Sequence, residues 1–301
     1  MKYSAFLPGR VVHGSFCAII FLFSVLSCQT EESKPQKIEN SAAPRIISLS
    51  GCLTETLFDL GYGSMIVGRD VTSTYPEEAK AIADLGHITQ LNTEAILQLN
   101  PTIIFLEEEQ KTQTQALHSL EQAGITIVAI PTATSLNNAL RIAQKMKTHL
   151  PIEEQTLKNL KQQITEDSLA LGETLNPFTD HPKVLFIYAR GAGRLMAGGK
   201  NTPAAVIIEK AGGINAIQSF DNYQALTPEA LVEAQPSVIL MFDTGLKSLN
   251  GKTGLEQIPG ISQTPAFQQN RIVAMDGHYL TSFSSRAGKA AKELATLIHA
   301  E

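Results

Sequence analysis

The hydrophobic positions change period in a regular way along the chain. Short, β-branched apolar runs at Arg45–Ser50, Met65–Gly68, Thr102–Leu106 and Ile125–Ile130 alternate with stretches of helical periodicity at 53–60, 92–99, 111–123 and 135–149. The first kind reads as buried strand and the second as amphipathic helix. The alternation resumes later, with strands over Lys183–Tyr188, Ser237–Met241 and Arg271–Met275 and helices over 202–211 and 286–299. Strands alternating with helices imply a parallel, helix-covered sheet in each half. Between the halves, Leu157, Leu160, Ile164, Leu171 and Leu175 make one stripe along the otherwise polar segment 151–176. That pattern predicts a single helix of roughly 35 Å, begun near Pro151 and closed at Asn176-Pro177.

The halves share a local unit. Thr93-Glu94-Ala95-Ile96 and Pro228-Glu229-Ala230-Leu231 each precede, by the same interval, a proline (Pro101, Pro236) that leads into a strand. Each predicts a short helix capped by Asn92 or Thr227 and broken at the proline. The expected fold class is therefore α/β: two similar lobes, 44–150 and 178–301, joined by one long helix over 151–177.

The N-terminus follows another pattern. Lys2 and Arg10 precede an apolar run, Gly14–Val25, and then Val25-Leu26-Ser27-Cys28. This predicts a signal peptide over 1–27, with a run too short for a retained membrane span. The residues before Cys28 resemble the bacterial lipobox, which implies lipid on the Cys28 thiol after cleavage. Residues 28–43 are polar and read as a flexible tether. The mature protein is then expected outside the cytoplasm, held to a membrane by the lipid alone.

Charge and chemistry narrow the function. Losing Lys2 and Arg10 takes the net charge from −5 to −7, and the chain has no Trp and no basic run, so nothing points to nucleic acid. Cys17 leaves with the signal and Cys28 takes the lipid, so Cys52 has no disulfide partner. No Gly-x-Gly-x-x-Gly follows the first strand, and neither a P-loop nor a nucleophile elbow is present. The remaining histidines, 87, 118, 149, 181, 278 and 299, form no close pair of the kind that holds zinc.

Two similar lobes on one long helix, behind a lipidation signal, resemble the class III substrate-binding proteins of ABC importers, which carry haem, cobalamin or ferric siderophores. The resemblance covers about residue 44 to the end. It implies that Glu94 and Glu229 dock onto arginines of the ABC permease, and that the protein works as a monomer without catalysing a reaction. The segment Thr72-Ser73-Thr74-Tyr75-Pro76 is similar to that of the periplasmic haem-binding proteins. There the tyrosine is an axial ligand to ferric haem iron, which makes Tyr75 the expected ligand here. Further similarity runs through Val184–Gly199, Ala211–Ala216, Ile258–Ile261 and Arg271–Gly277. In those loops Arg190, Arg194 and Arg286 are candidates to pair propionates or the Tyr75 phenolate. Tyr188, Met196, Tyr279 and Phe283 are candidates for the ring's walls.

The chain departs from the family at Gly86-His87-Ile88-Thr89, where many members carry Gly-Tyr-x-Arg. His87 thereby becomes a candidate second iron ligand, as does His278 in the last loop. The long helix is expected to place Tyr75 opposite the Arg190–Arg194 loop. Haem capture and delivery to a permease is the leading expectation. Cobalamin or a ferric siderophore is the alternative within the class, and an oxidoreductase or chelatase the alternative outside it.

Overall fold

A computed structural model describes residues 43–113 and 115–300. Cys28, the signal segment and most of the tether lie outside them.

The first lobe is built on four parallel strands, β1 (Ile46–Ser48), β2 (Ile66–Arg69), β3 (Ile103–Glu107) and β4 (Thr126–Ile130), in the order β2-β1-β3-β4. Its helices are α1 (Gly51–Asp59), α2 (Thr93–Gln98), α3 (Gln115–Gln122) and α4 (Asn138–Met146). Successive residues of a strand face opposite sides, so a strand covered on both sides reads as continuously apolar. Ile46, Ile103 and Phe105 face one core with α1 and α4, while Ile47, Ile104 and Leu106 face another with Ile96 and Leu120.

The joining helix is α5 (Glu154–Leu175). It begins three residues after Pro151, with Glu153 as its N-cap. Its stripe is divided: Leu160 and Ile164 enter a core of the first lobe, and Leu171 enters a core of the second. One rigid element is thus anchored in both lobes.

The second lobe contains β5 (Lys183–Ala189), β6 (Leu195–Gly198), α6 (Pro203–Lys210), β7 (Ile214–Asn215), β8 (Tyr223–Ala225), α7 (Pro228–Ala234) and β9 (Val238–Phe242). After these come α8 (Asp243–Ser248), α9 (Lys252–Glu256), α10 (Pro265–Gln268), β10 (Ile272–Met275), α11 (Gly277–Thr281) and α12 (Ala287–Ile298). Its sheet runs β10-β9-β5-β6-β8, with β7 beside β5. The expected parallel strands β5, β9 and β10 are there. Two antiparallel strands, β6 and β8, extend the sheet. Only an antiparallel partner can follow a link as short as 190–194. Gly191, at φ +72°, makes that tight turn.

The repeated unit survives in detail. Asn92 Oδ1 accepts from Ala95 N at 3.1 Å and Thr227 Oγ1 from Ala230 N at 3.2 Å, so both caps form as expected. Both helices then end just before their prolines, at residues of positive φ: Asn100 at 46° and Gln235 at 40°.

Candidate functional site

The carboxyl ends of β1, β3 and β4 in one lobe face those of β9 and β10 in the other, across a cleft of about 820 Å³. Such strand ends are where open α/β sheets place ligands. Ser50, Cys52, Thr72, Thr74, Glu107 and Thr132 line it from the first lobe. Phe242, Asp276, His278, Thr281, Ser282 and Phe283 are among those lining it from the second.

Tyr75 sits beside this cleft on the loop after β2, and a buried polar network shapes that loop. Asp70 accepts from Thr72 Oγ1 and from Ser73 Oγ, both at 2.6 Å, which folds the backbone back on itself. Thr54 Oγ1 of α1 holds Ser73 Oγ at 2.7 Å and donates to Ser48 Oγ at 2.8 Å. Arg69, also buried, donates to the Ala79 carbonyl at 2.9 Å and to Asp84 at 3.1 Å. Thr54 therefore serves the loop, and α1 starts earlier than the periodicity over 53–60, after Ser50. The loop holds Tyr75 41% exposed, the one tyrosine among the described residues with this much free surface.

The other lobe reaches Tyr75 through Arg286. Its guanidinium carbon lies 3.4 Å from the Tyr75 ring centroid and 4.8 Å from that of Tyr279. Arg286 is held by Glu55 of α1, with Nε on Oε1 at 2.9 Å and Nη2 on Oε2 at 2.8 Å. Glu55 is 1% exposed. It accepts three more hydrogen bonds, from Ser284 Oγ at 2.7 Å, Ser285 Oγ at 3.1 Å and His278 Nε2 at 3.2 Å. Burial pushes its carboxyl up, but the donors from His278 and Arg286 outweigh that and bring it down to about 2. Tyr279 moves the other way: burial, reinforced by Glu293, pushes its phenol up to about 12, so it stays neutral.

The remaining expected residues are distributed as follows. His278 lines the cleft, with its Nε2 committed to Glu55 and its ring close to Gly51. His87 is exposed, away from the residues lining the cleft, with Nδ1 2.9 Å from Thr89 Oγ1. Tyr188 stands edge-on to Phe242 at 5.9 Å and carries Arg190 over its ring at 5.5 Å. Met196 pairs with Tyr188 across the β5–β6 hairpin. Arg190 and Arg194 belong to the exposed tip of that hairpin and do not line the cleft. Phe283 is buried and lines the cleft, and its carbonyl accepts from Asn138 Nδ2 of the first lobe at 3.2 Å. Glu94 and Glu229 are exposed in the first turns of α2 and α7.

Two groups escaped sequence reasoning. Glu55 is one. Glu107 is the other: at the end of β3 it accepts from Ser50 Oγ and from Thr132 Oγ1, the latter at 3.3 Å, and lies 3.6 Å from Cys52 Sγ. Burial, and then the Glu107 charge, push the Cys52 thiol well above its ordinary range. A thiol held protonated is no nucleophile.

Comparison with known proteins agrees with this geometry. The periplasmic binding protein family matches residues 46–279. The chain belongs to that family. RhuT of Roseiflexus sp. RS-1, a periplasmic haem-binding protein solved in apo form, is 34% identical, with a TM-score of 0.78; the match covers 86% of this chain and 98% of RhuT. YvrC of Bacillus subtilis, an uncharacterised ABC transporter substrate-binding lipoprotein, is 25% identical over 85% of this chain and 80% of its own. The vitamin B12-binding protein of Vibrio campbellii is 26% identical over 66% of this chain and 71% of its own. The two-lobed α/β architecture of this periplasmic binding protein is thus shared with solved relatives.

Proposed function

We propose that this periplasmic binding protein captures ferric haem between its lobes and delivers it to an ABC permease. The observation that carries the reading is Tyr75, exposed on the loop beside the cleft with the Arg286 guanidinium against its ring. A phenolate oxygen is a known axial donor to haem iron. A cation against the ring stabilises the negative charge that such a donor carries. Tyr279, held neutral, is the less suited phenol. The similarity to RhuT supports the same ligand class.

Among the described residues that line the cleft there is no lysine or arginine, whereas Glu107, Glu109 and Asp276 are there. The propionates of a bound haem would then avoid the floor and face the rim, where Arg190 and Arg194 are exposed. His278, which lines the cleft, and His87, which does not, are the candidates for a second ligand. Tyr188 and Met196 would support the wall through Phe242 rather than form it.

Cargo binding and delivery need no catalytic group, and the protonated Cys52 offers none. The lipid on Cys28 and the tether over 28–43 would keep the mature monomer at a membrane surface outside the cytoplasm. Segment 1–27 would be removed as signal, and residues 44–150, 151–177 and 178–301 would act as lobe, connector and lobe. Glu94 and Glu229 would meet permease arginines.

Cobalamin is the second reading. It is favoured by the vitamin B12-binding relative and by the hydroxyl-rich, acidic lining, which suits carboxamide donors. Absorption titration of the mature protein with ferric haem and, separately, with cobalamin discriminates. Haem is expected to give a saturable tyrosinate-type spectrum that Tyr75→Ala abolishes. Cobalamin binding that is tighter than haem binding and indifferent to Tyr75→Ala would replace the haem reading.

A further inference from the structure

Glu55 is a buried carboxylate of one lobe whose partners all come from the other. Ser284, Ser285, Arg286 and His278 donate to it from one short segment of the second lobe. Both Arg286 nitrogens that face it are used, one on each oxygen. A bidentate pair of this kind fixes the plane of the guanidinium as well as its place. The plane so fixed lies against Tyr75, which belongs to the same lobe as Glu55 but to a different element. The lobes meet tightly here: a Cβ on Gly51, one turn before Glu55, would come within 2.5 Å of the His278 ring and 2.8 Å of the Thr72 carbonyl.

We infer that Glu55 is a positioning residue for the haem-iron ligand: it sets the Arg286 guanidinium over the Tyr75 ring and thereby stabilises the phenolate that binds iron. The inference rests on the reading of Tyr75 as the ligand. When the Tyr75 oxygen bonds to ferric iron, its proton leaves to water. The charge left on the oxygen is then opposed by Arg286, whose orientation depends on Glu55. The other ionisable groups around this pair are Asp59 and Cys52 on α1, with Glu107 facing Cys52, His278 and Tyr279 on α11, Lys289 on α12, and Glu293 and Asp167 behind Tyr279. None of them shares Arg286's place on the Tyr75 ring among the described cation–ring contacts.

The test is a double-mutant cycle on the full mature protein loaded with ferric haem, read as the pH at which the tyrosinate absorption band disappears. Glu55→Gln keeps the shape and removes the charge. Loss of the guanidinium's placement on Tyr75 outweighs loss of the more distant like charge of Glu55, and the acid transition is expected to rise by about one pH unit. Haem affinity should fall about tenfold at neutral pH, as for one charge-assisted hydrogen bond. Arg286→Gln should do the same. The double variant should be no worse than Arg286→Gln alone, because Glu55 acts through Arg286. An undiminished Glu55→Gln shift in the Arg286→Gln background would overturn the inference. So would a folded Glu55→Gln protein with the wild-type transition. Should Glu55→Gln not fold, Arg286→Lys takes its place: it keeps the charge but loses the fork, and a wild-type transition there would equally overturn the inference. Tyr75→Phe separates the two levels. If the band survives in Tyr75→Phe, the assignment of the ligand has failed and the role of Glu55 in iron binding falls with it, whereas a band lost in Tyr75→Phe beside an unshifted Glu55→Gln overturns the role of Glu55 alone.

Discussion

The carboxyl of Glu55 makes folding stability depend on pH in a calculable way. It stands at about 2 in the folded protein against an ordinary value of 4.5. A fall of about 2.5 in pKa, at about 1.4 kcal/mol for each, corresponds to about 3 kcal/mol. The folded-state value is the lower one. The stabilisation is therefore complete above about pH 4.5 and is lost as pH falls toward about 2. Glu55→Gln removes the group that titrates and leaves Arg286 buried without its anion, a loss in the range of about 3–5 kcal/mol for a broken buried pair. The assay is denaturant unfolding of the mature protein, followed by circular dichroism at several pH values between about 2.5 and 7, which spans the window of this titration. Wild type should exceed Glu55→Gln by about 3 kcal/mol at neutral pH, and the gap should close progressively below about pH 4.5. A gap that stays constant down to the lowest pH would refute the reasoning, because it would mean that the charge of Glu55 contributes nothing beyond its shape.

Other consequences can be checked in the same protein. Gly51→Ala forces a methyl into the His278 ring and the Thr72 carbonyl, and should lower stability by about 1–3 kcal/mol as an overpacked site. An unchanged unfolding midpoint would show that the lobes separate there without cost. On α5, Leu171→Ala should lose about 2–5 kcal/mol, because Leu171 is buried in the second lobe's core. Leu169, two residues away and 64% exposed, should tolerate the same change within about 0.5 kcal/mol. Glu94→Ala with Glu229→Ala should leave haem titration unchanged while abolishing stimulation of permease ATPase activity in proteoliposomes. Full stimulation by the double variant would remove both residues from the docking surface.

What was readable in the sequence, and what was not, divides along physical lines. Local rules hold where local groups satisfy themselves. Asn92 and Thr227 cap their helices as their spacing predicts, since a cap needs only backbone three residues on. The α5 stripe also follows from periodicity alone. That Leu160 and Ile164 enter one core and Leu171 another is settled only by how the lobes fold. The antiparallel strands β6 and β8 were missed because Leu195–Gly198 and Tyr223–Ala225 are too short to show a period.

Glu55 was illegible for a more instructive reason. On a helical wheel it falls away from Leu53, Leu57 and Leu60, the face where a water-exposed acid belongs. That face is covered by a segment more than two hundred residues later in the chain, and only the approach of the second lobe converts a solvated glutamate into a buried one with five donors. The same approach occupies His278 and turns Arg286, one of three interchangeable candidates in sequence, into the arginine on Tyr75. Tyr75 was singled out by the likeness of Thr72–Pro76 to haem-binding proteins, and its loop is shaped by near neighbours: Asp70 folds it through Thr72 and Ser73. The placing of Tyr75 thus belongs to local sequence, whereas the cation on its ring belongs to the contact between lobes. Weakening that contact should leave Tyr75 in place on its loop and remove its partner. A haem protein built this way would couple the strength of its iron bond to the closeness of its lobes, and a permease that draws the lobes apart at Glu94 and Glu229 would loosen the cargo without touching it.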